Sequence, residues 1–157
     1  MRTRSLAISA TLIAGLVLAL AVMAQVQNPN VGTWKMNPAK SKFSQSPLKS
    51  YKLKVEAQDT GIKVVQDIVD AEGKAIQRKY TAKYDGKEYP VTAPDADTMS
   101  FTRPDANTTE YVFKKSGKEA WGGQAVVSKD GKTRTDNGKG KDAKGQPFTY
   151  SIFMEKQ

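Results

Sequence analysis

Short glycine-containing turns recur at regular intervals through most of this chain. They are DTG at 59–61, DAEGK at 70–74, YDGK at 84–87, KSGK at 115–118, KDGK at 129–132 and KDAKGQ at 141–146. Glycine, and the Asp or Ser residues beside it, tolerate the positive φ angles that tight hairpin turns need. The segments between the turns are about 8–12 residues long, which is the spacing of an all-β sandwich or barrel.

The segments between these turns alternate in polarity. Residues 51–57 place Tyr51, Leu53 and Val55 on one face and lysines or glutamate on the other, and residues 76–84 alternate in the same way. A period of two is typical of a strand with one dry face and one wet face. Further strands are predicted at 98–103, 109–115 and 148–155. The parity of 62–69 changes near Val64 and Val65, which predicts a β-bulge.

These patterns predict an all-β fold of eight to ten short antiparallel strands joined in sequence. An up-and-down meander of this kind has two unpaired edges, and closing it into a barrel removes both. The interior of such a barrel holds packed side chains or one small ligand.

The N-terminal segment has the features of a secretory signal peptide. Arg2 and Arg4 precede an apolar run from 6 to 21, and small residues ending at Ala24 form a cleavage site. The alternative is an uncleaved anchor, because the apolar run approaches the length of a membrane-spanning helix. We therefore expect residues 1–24 to be a signal peptide, residues 25–157 to form a single barrel domain, and the protein to be periplasmic or secreted.

The composition excludes several kinds of catalytic site. The chain has no Cys and no His, so it can form no disulfide, no thiolate metal site and no Ser-His-Asp triad. Its carboxylates do not pair in a shared apolar environment, as general acid–base catalysis requires. We expect a protein that is not an enzyme, with no cofactor and no metal.

A short motif near the start of the mature region carries a family resemblance. Gly32-Thr33-Trp34 lies on the first predicted strand, ahead of a sequential meander, and this arrangement resembles the lipocalin and calycin barrels. The resemblance implies that Trp34 closes one end of the barrel, that Gly32 lets the chain pass close to it, and that apolar ligands enter at the other end. The wider segment GTWKMNPAKSKF also resembles the opening of small uncharacterised exported bacterial proteins.

Two arginines share the dry face of the predicted strands. Arg78 is in register with Ile76 and Tyr80, and Arg103 is in register with Phe101. A guanidinium inside a barrel must be paired, or it is available to an anionic ligand. The alternative is that each arginine lies at a strand end, where its head reaches water.

The aromatic residues of the same face complete the predicted ligand site. They are Tyr80, Tyr84, Phe101, Tyr111, Phe113 and Tyr150. Such a set forms either a packed core or the lining of a ligand cavity. Trp121, beside Gly122 and Gly123, is a candidate lid or rim residue.

Two functions remain open at this stage. The first is an exported, non-catalytic barrel that binds a small apolar or amphipathic molecule, with an anionic group on Arg78. The alternative is a packed barrel whose loops bind an envelope component or inhibit an enzyme. Lysines are spread over every hairpin instead of clustering with aromatic residues, so we expect no nucleic-acid partner, no stable membrane insertion after cleavage, and a monomer.

Overall fold

The computed structural model describes residues 28–157, and the predicted signal peptide lies outside this range. Within it, eleven strands and one short 3₁₀ helix follow one another along the chain. The strands are β1 (Gly32–Met36), β2 (Lys42–Phe43), β3 (Ser50–Gln58), β4 (Gly61–Val69), β5 (Ala75–Lys83), β6 (Asp85–Thr92), β7 (Thr98–Thr102), β8 (Thr108–Lys115), β9 (Lys118–Val127), β10 (Thr133–Lys141) and β11 (Pro147–Lys156), and the 3₁₀ helix is Pro38–Lys40. The predicted all-β class is confirmed.

The strands form a closed antiparallel barrel. From β3 to β11 each strand pairs with the next one in sequence, and β1 pairs with both β3 and β11. The closing pair places Trp34 opposite Lys156 and Met36 opposite Met154. Ten strands therefore make the barrel, and the short β2 adds a further pairing to β11. The predicted up-and-down meander with closure is confirmed.

The meander gives the barrel two distinct ends. The end where β1 begins, which we call the base, carries the connections at 59–60, 84, 103–107 and 128–132. The opposite end, which we call the mouth, carries the 3₁₀ helix and the connections at 70–74, 93–97, 116–117 and 142–146.

The predicted bulge in β4 is wrong. This strand pairs without a register shift to both neighbours, with Val64 opposite Val55 and Tyr80. Its buried residues are Ile62, Val64, Gln66 and Ile68, at strict alternation. The polar Gln66 points inward and Val65 points outward, which is why the apolar pattern of this segment looked shifted.

The base is closed around Trp34, which is completely buried. The Trp34 indole N–H donates to the carbonyl oxygen of Asn30 at 2.9 Å. The Lys156 ammonium lies 5.0 Å from the centre of its ring. Gly32 makes this contact possible: its φ is +138°, and a Cβ there would lie 2.5 Å from the Lys156 side chain. Glycine is required at this position because its φ is positive and the Lys156 side chain occupies the space that a Cβ would take.

Among the residues that the structure describes, no helix is long and apolar enough to cross a membrane.

Replacing Trp34 by alanine should destabilise the protein by roughly 3–5 kcal/mol, because it empties a large buried aromatic site. Chemical denaturation of both proteins measures this difference. As a control, Phe153→Ala removes a partly exposed aromatic residue on the outer side of β11 and should cost less. Equal losses for the two variants would contradict the role of Trp34 in closing the base.

Candidate ligand site

Arg78 lies on the inner face of β5, and its guanidinium is fully paired. It donates to both carboxylate oxygens of Asp95, at 2.6 to 3.2 Å, and to Gln66 Oε1 at 3.1 Å. The side chain of Arg78 is 16% exposed. Burial alone would lower the pKa of Arg78, but hydrogen bonds and charge attraction from Asp95 outweigh it and raise that pKa. The sequence left open whether an inward arginine is paired within the protein or available to an anionic ligand, and in the structure Arg78 is paired.

The same guanidinium also stacks on an aromatic pair from the opposite wall. Its central carbon lies 4.6 Å from the Trp121 ring centre, and the Trp121 ring stacks on Phe113 at 4.7 Å. Arg78 belongs to β5 and Trp121 to β9, so this stack spans the inside of the barrel. Asp95 approaches from the 93–97 connection, in which Ala96 is completely buried. The stack and this connection close one side of the mouth.

Glycines on the inner face of β10 make room for the remaining aromatic residues. A Cβ on Gly138 would collide with the ring and hydroxyl of Tyr150, and one on Gly140 would collide with Trp121 and Phe148. The Tyr150 hydroxyl reaches the Tyr111 hydroxyl at 2.9 Å. The space beside these two glycines is therefore filled by aromatic rings.

The second inward arginine lies at the other end of the barrel. Arg103 donates from Nη2 to the carbonyl oxygen of Ala106 at 2.6 Å, and its guanidinium lies 5.6 Å from the Tyr84 ring centre. Tyr84 accepts a hydrogen bond from Asn28 in the segment that covers the base. Phe101 packs against both Tyr80 and Tyr84 at 5.7 Å.

The eight residues predicted to bind a ligand are thus spread from the base to the mouth of the barrel. Arg103 and Tyr84 lie at the base, and Arg78 lies towards the mouth in contact with the Trp121 stack. Tyr80 and Phe101 lie between them, and Tyr111, Phe113 and Tyr150 line the wall opposite β5. Their role in ligand binding stays a prediction.

The base contains a buried charged cluster that was not predicted from the sequence. The Arg134 guanidinium donates to both oxygens of Asp136, at 2.6 and 3.1 Å, and to Asn30 Oδ1 at 3.2 Å. Asn30 in turn donates to Thr109 at 3.0 Å. Burial would lower the pKa of Arg134, but the charge of Asp136 and its hydrogen bonds raise it. The alternation of β10 contains the signal, because it places Arg134, Asp136, Gly138 and Gly140 on one face.

An open pocket of about 700 Å³ occupies the other side of the mouth, between the 3₁₀ helix and the ends of β1, β3, β4 and β5. Its apolar lining comes mainly from Met36, Tyr51, Ile68 and Ile76, and Lys49 stands at its rim. Met36, Tyr51 and Ile68 belong to the buried core.

Tyr51 is a buried phenol among the residues that line this pocket. Burial, followed by the charge of Asp136, raises its pKa well above the usual value. The Tyr80 hydroxyl accepts from Gln66, and the Tyr111 hydroxyl pairs with Tyr150. The hydroxyl of Tyr51 has no such partner among residues 28–157. The pocket therefore combines apolar walls with polar side chains, which besides Tyr51 are Lys35, Lys49, Ser50, Lys52, Asp67 and Gln77.

Among residues 28–157, no group of three or more carboxylate side chains is placed to hold a metal ion. Comparison with protein-family models and with curated proteins finds no match to this chain.

The buried tyrosines predict a loss of stability in alkali. Burial raises the pKa of Tyr51, Tyr80, Tyr111 and Tyr150, in the case of Tyr150 to about 12. A pKa raised by folding contributes stability that is complete below the unfolded value of about 10 and is lost as the pH rises towards the folded value. We expect tyrosinate absorbance above pH 10 to rise together with the loss of β-sheet circular dichroism. Ionisation of these four tyrosines near pH 10 in a barrel that stays folded would contradict this burial.

Proposed function

We propose that this chain is a non-catalytic binding barrel that holds a small apolar or amphipathic molecule in the pocket at its mouth. The pocket between β1, β3, β4 and β5 is the observation that carries the proposal. Concave, mostly apolar sites with a few convergent polar groups are typical of small-molecule binding. The absence of Cys and His from the sequence supports a binding role over a catalytic one.

The pocket suits a molecule with an apolar body and an anionic group. Met36, Ile68 and Ile76 in the lining would pack against the body. Lys35, Lys49 and Lys52 in the lining provide cations for the anionic group. Arg78 provides a further cation only if the ligand displaces Asp95 from it.

Export completes the proposed role. The charged, apolar and small-residue segments of 1–24 support a signal peptide, and hence a periplasmic or secreted location. The closed barrel and the Gly32-Thr33-Trp34 motif together support a relationship to the lipocalin and calycin barrels. We expect the processed protein to be a soluble monomer.

A packed interaction protein is the second candidate. The Arg78 stack and the aromatic rings over Gly138 and Gly140 fill much of the interior, which favours a barrel that acts through its surface. In that case no small molecule binds at the mouth.

Filling the pocket separates these two candidates. Ile76 lines the mouth and is partly buried, so Ile76→Trp should occupy the space and weaken binding of an environment-sensitive fatty-acid probe by at least about tenfold. Val126→Trp, at an exposed outward position of β9, is the matched control and should leave binding unchanged. A parent protein that does not bind the probe would overturn the proposal.

Two further variants test the anionic anchor. If the ligand's acid reaches Arg78, Arg78→Met should weaken binding by about 1.5–3 kcal/mol, the usual contribution of a hydrogen bond to a charged group. Asp95→Asn removes the competing carboxylate and should strengthen binding. Titration of the same probe into both variants measures these changes. Unchanged affinity in both would leave the pocket in place and remove Arg78 from the site.

A further inference from the structure

One outer face of the barrel is strongly basic. The outward positions of β1, β3, β4 and β5 carry six exposed lysines, namely Lys35, Lys52, Lys54, Lys63, Lys79 and Lys83. The only acids at outward positions of these four strands are Glu56 and Asp67. We call this surface the lysine face.

Its charges are poorly neutralised within the protein. Lys54 pairs with Glu56 at 2.9 Å, while Asp67 accepts a hydrogen bond from the neutral Gln77. Elsewhere, Lys40, Lys114 and Lys115 each pair with an acid, for example Lys115 with Asp97 at 2.7 Å. Within residues 28–157, the other five lysines of the lysine face form no ion pair.

The strand register brings like charges together on this face. Lys35 lies directly opposite Lys52 on adjacent strands. Lys63 and Lys79 are diagonal neighbours, because Lys63 pairs with Thr81 and Lys79 pairs with Val65. Like charges at such positions destabilise a sheet, and an anion bound between them relieves the repulsion.

A shallow groove of about 340 Å³ lies on the lysine face, where β4, β5 and β6 meet. Lys63, Lys79, Thr81 and Thr92 provide its polar lining, and Pro90 on β6 contributes an apolar edge without an N–H group. Two ammonium groups with nearby hydroxyls suit a phosphate, which offers several strong acceptor oxygens.

We propose that the lysine face binds the surface of an anionic phospholipid bilayer, with a headgroup phosphate in the groove between Lys63 and Lys79. A broad face of spaced lysines matches a surface of many phosphates better than it matches one small ligand. The ligand pocket adjoins this surface, because Lys35, Lys52, Asp67 and Gln77 belong both to its lining and to the four strands of the face. A barrel docked in this way lies with its side, including the outer rim of the pocket, against the bilayer.

Vesicle co-sedimentation of the purified protein tests this proposal. We expect binding to vesicles containing phosphatidylglycerol in phosphatidylcholine, weakening as salt rises, and little binding to phosphatidylcholine alone. Lys63→Glu with Lys79→Glu should weaken binding by about tenfold or more, since each lysine contributes near the surface. Lys129→Glu with Lys144→Glu makes the same change in net charge on exposed turns away from the face and should have a much smaller effect.

Three outcomes would overturn the proposal. Equal losses for the two double variants would mean that net charge alone attracts the protein. Equal binding to both kinds of vesicle would show that the net negative charge of the lipid plays no role. Full competition by soluble glycerol phosphate, at the concentration of the vesicle headgroups, would identify a free phosphate ligand instead of a bilayer. Fatty-acid probe binding without vesicles is a separate readout, so failure here leaves the pocket proposal standing.

Discussion

The buried hydrogen bonds of Asn30 hold the base of the barrel together. Through its side chain and carbonyl oxygen this residue contacts β8 at Thr109, β10 at Arg134 and β1 at Trp34. Asn30 precedes β1, so the segment that leads into the first strand is fixed across the barrel floor. The pairing of β1 with β11 then closes the sheet beside it. Without the pairing of β1 with β11 the meander would keep two open edges, which favour pairing between chains.

Two arginines can lie inside the barrel because each of them pairs with a carboxylate. Arg134 is held by Asp136 at the base, and Arg78 by Asp95 towards the mouth. Removing one partner of such a pair leaves an uncompensated buried charge, which is strongly destabilising. These pairs therefore favour one arrangement of the interior. Arg78 also stacks on Trp121, and this stack narrows the mouth. The pocket lies on the other side of the mouth, which is bounded by β1, β3, β4 and β5.

The strands and their order could be predicted from local patterns, whereas the pairing of Arg78 with Asp95 and the contact of Arg134 with Asn30 could not. Alternation in β3 and β5 and the Asp-Gly turns are local signals, and each acts within a few residues. Asp95 lies 17 residues from Arg78, in a connection, and Asn30 lies 104 residues from Arg134. Such contacts depend on the closed register. A bulge was wrongly predicted in β4 because Gln66 is polar but points inward, which breaks the apolar pattern of the inner face.

The central claim is that the base is closed and that ligands bind at the opposite end. Mapping amide chemical shifts by NMR during titration with a fatty-acid probe tests it most directly. The described geometry predicts shifts concentrated at Tyr51, Ile68 and Ile76, with Asn30, Trp34 and Arg134 unaffected. Shifts concentrated around Trp34 and Arg134, or no saturable shifts at all, would contradict it.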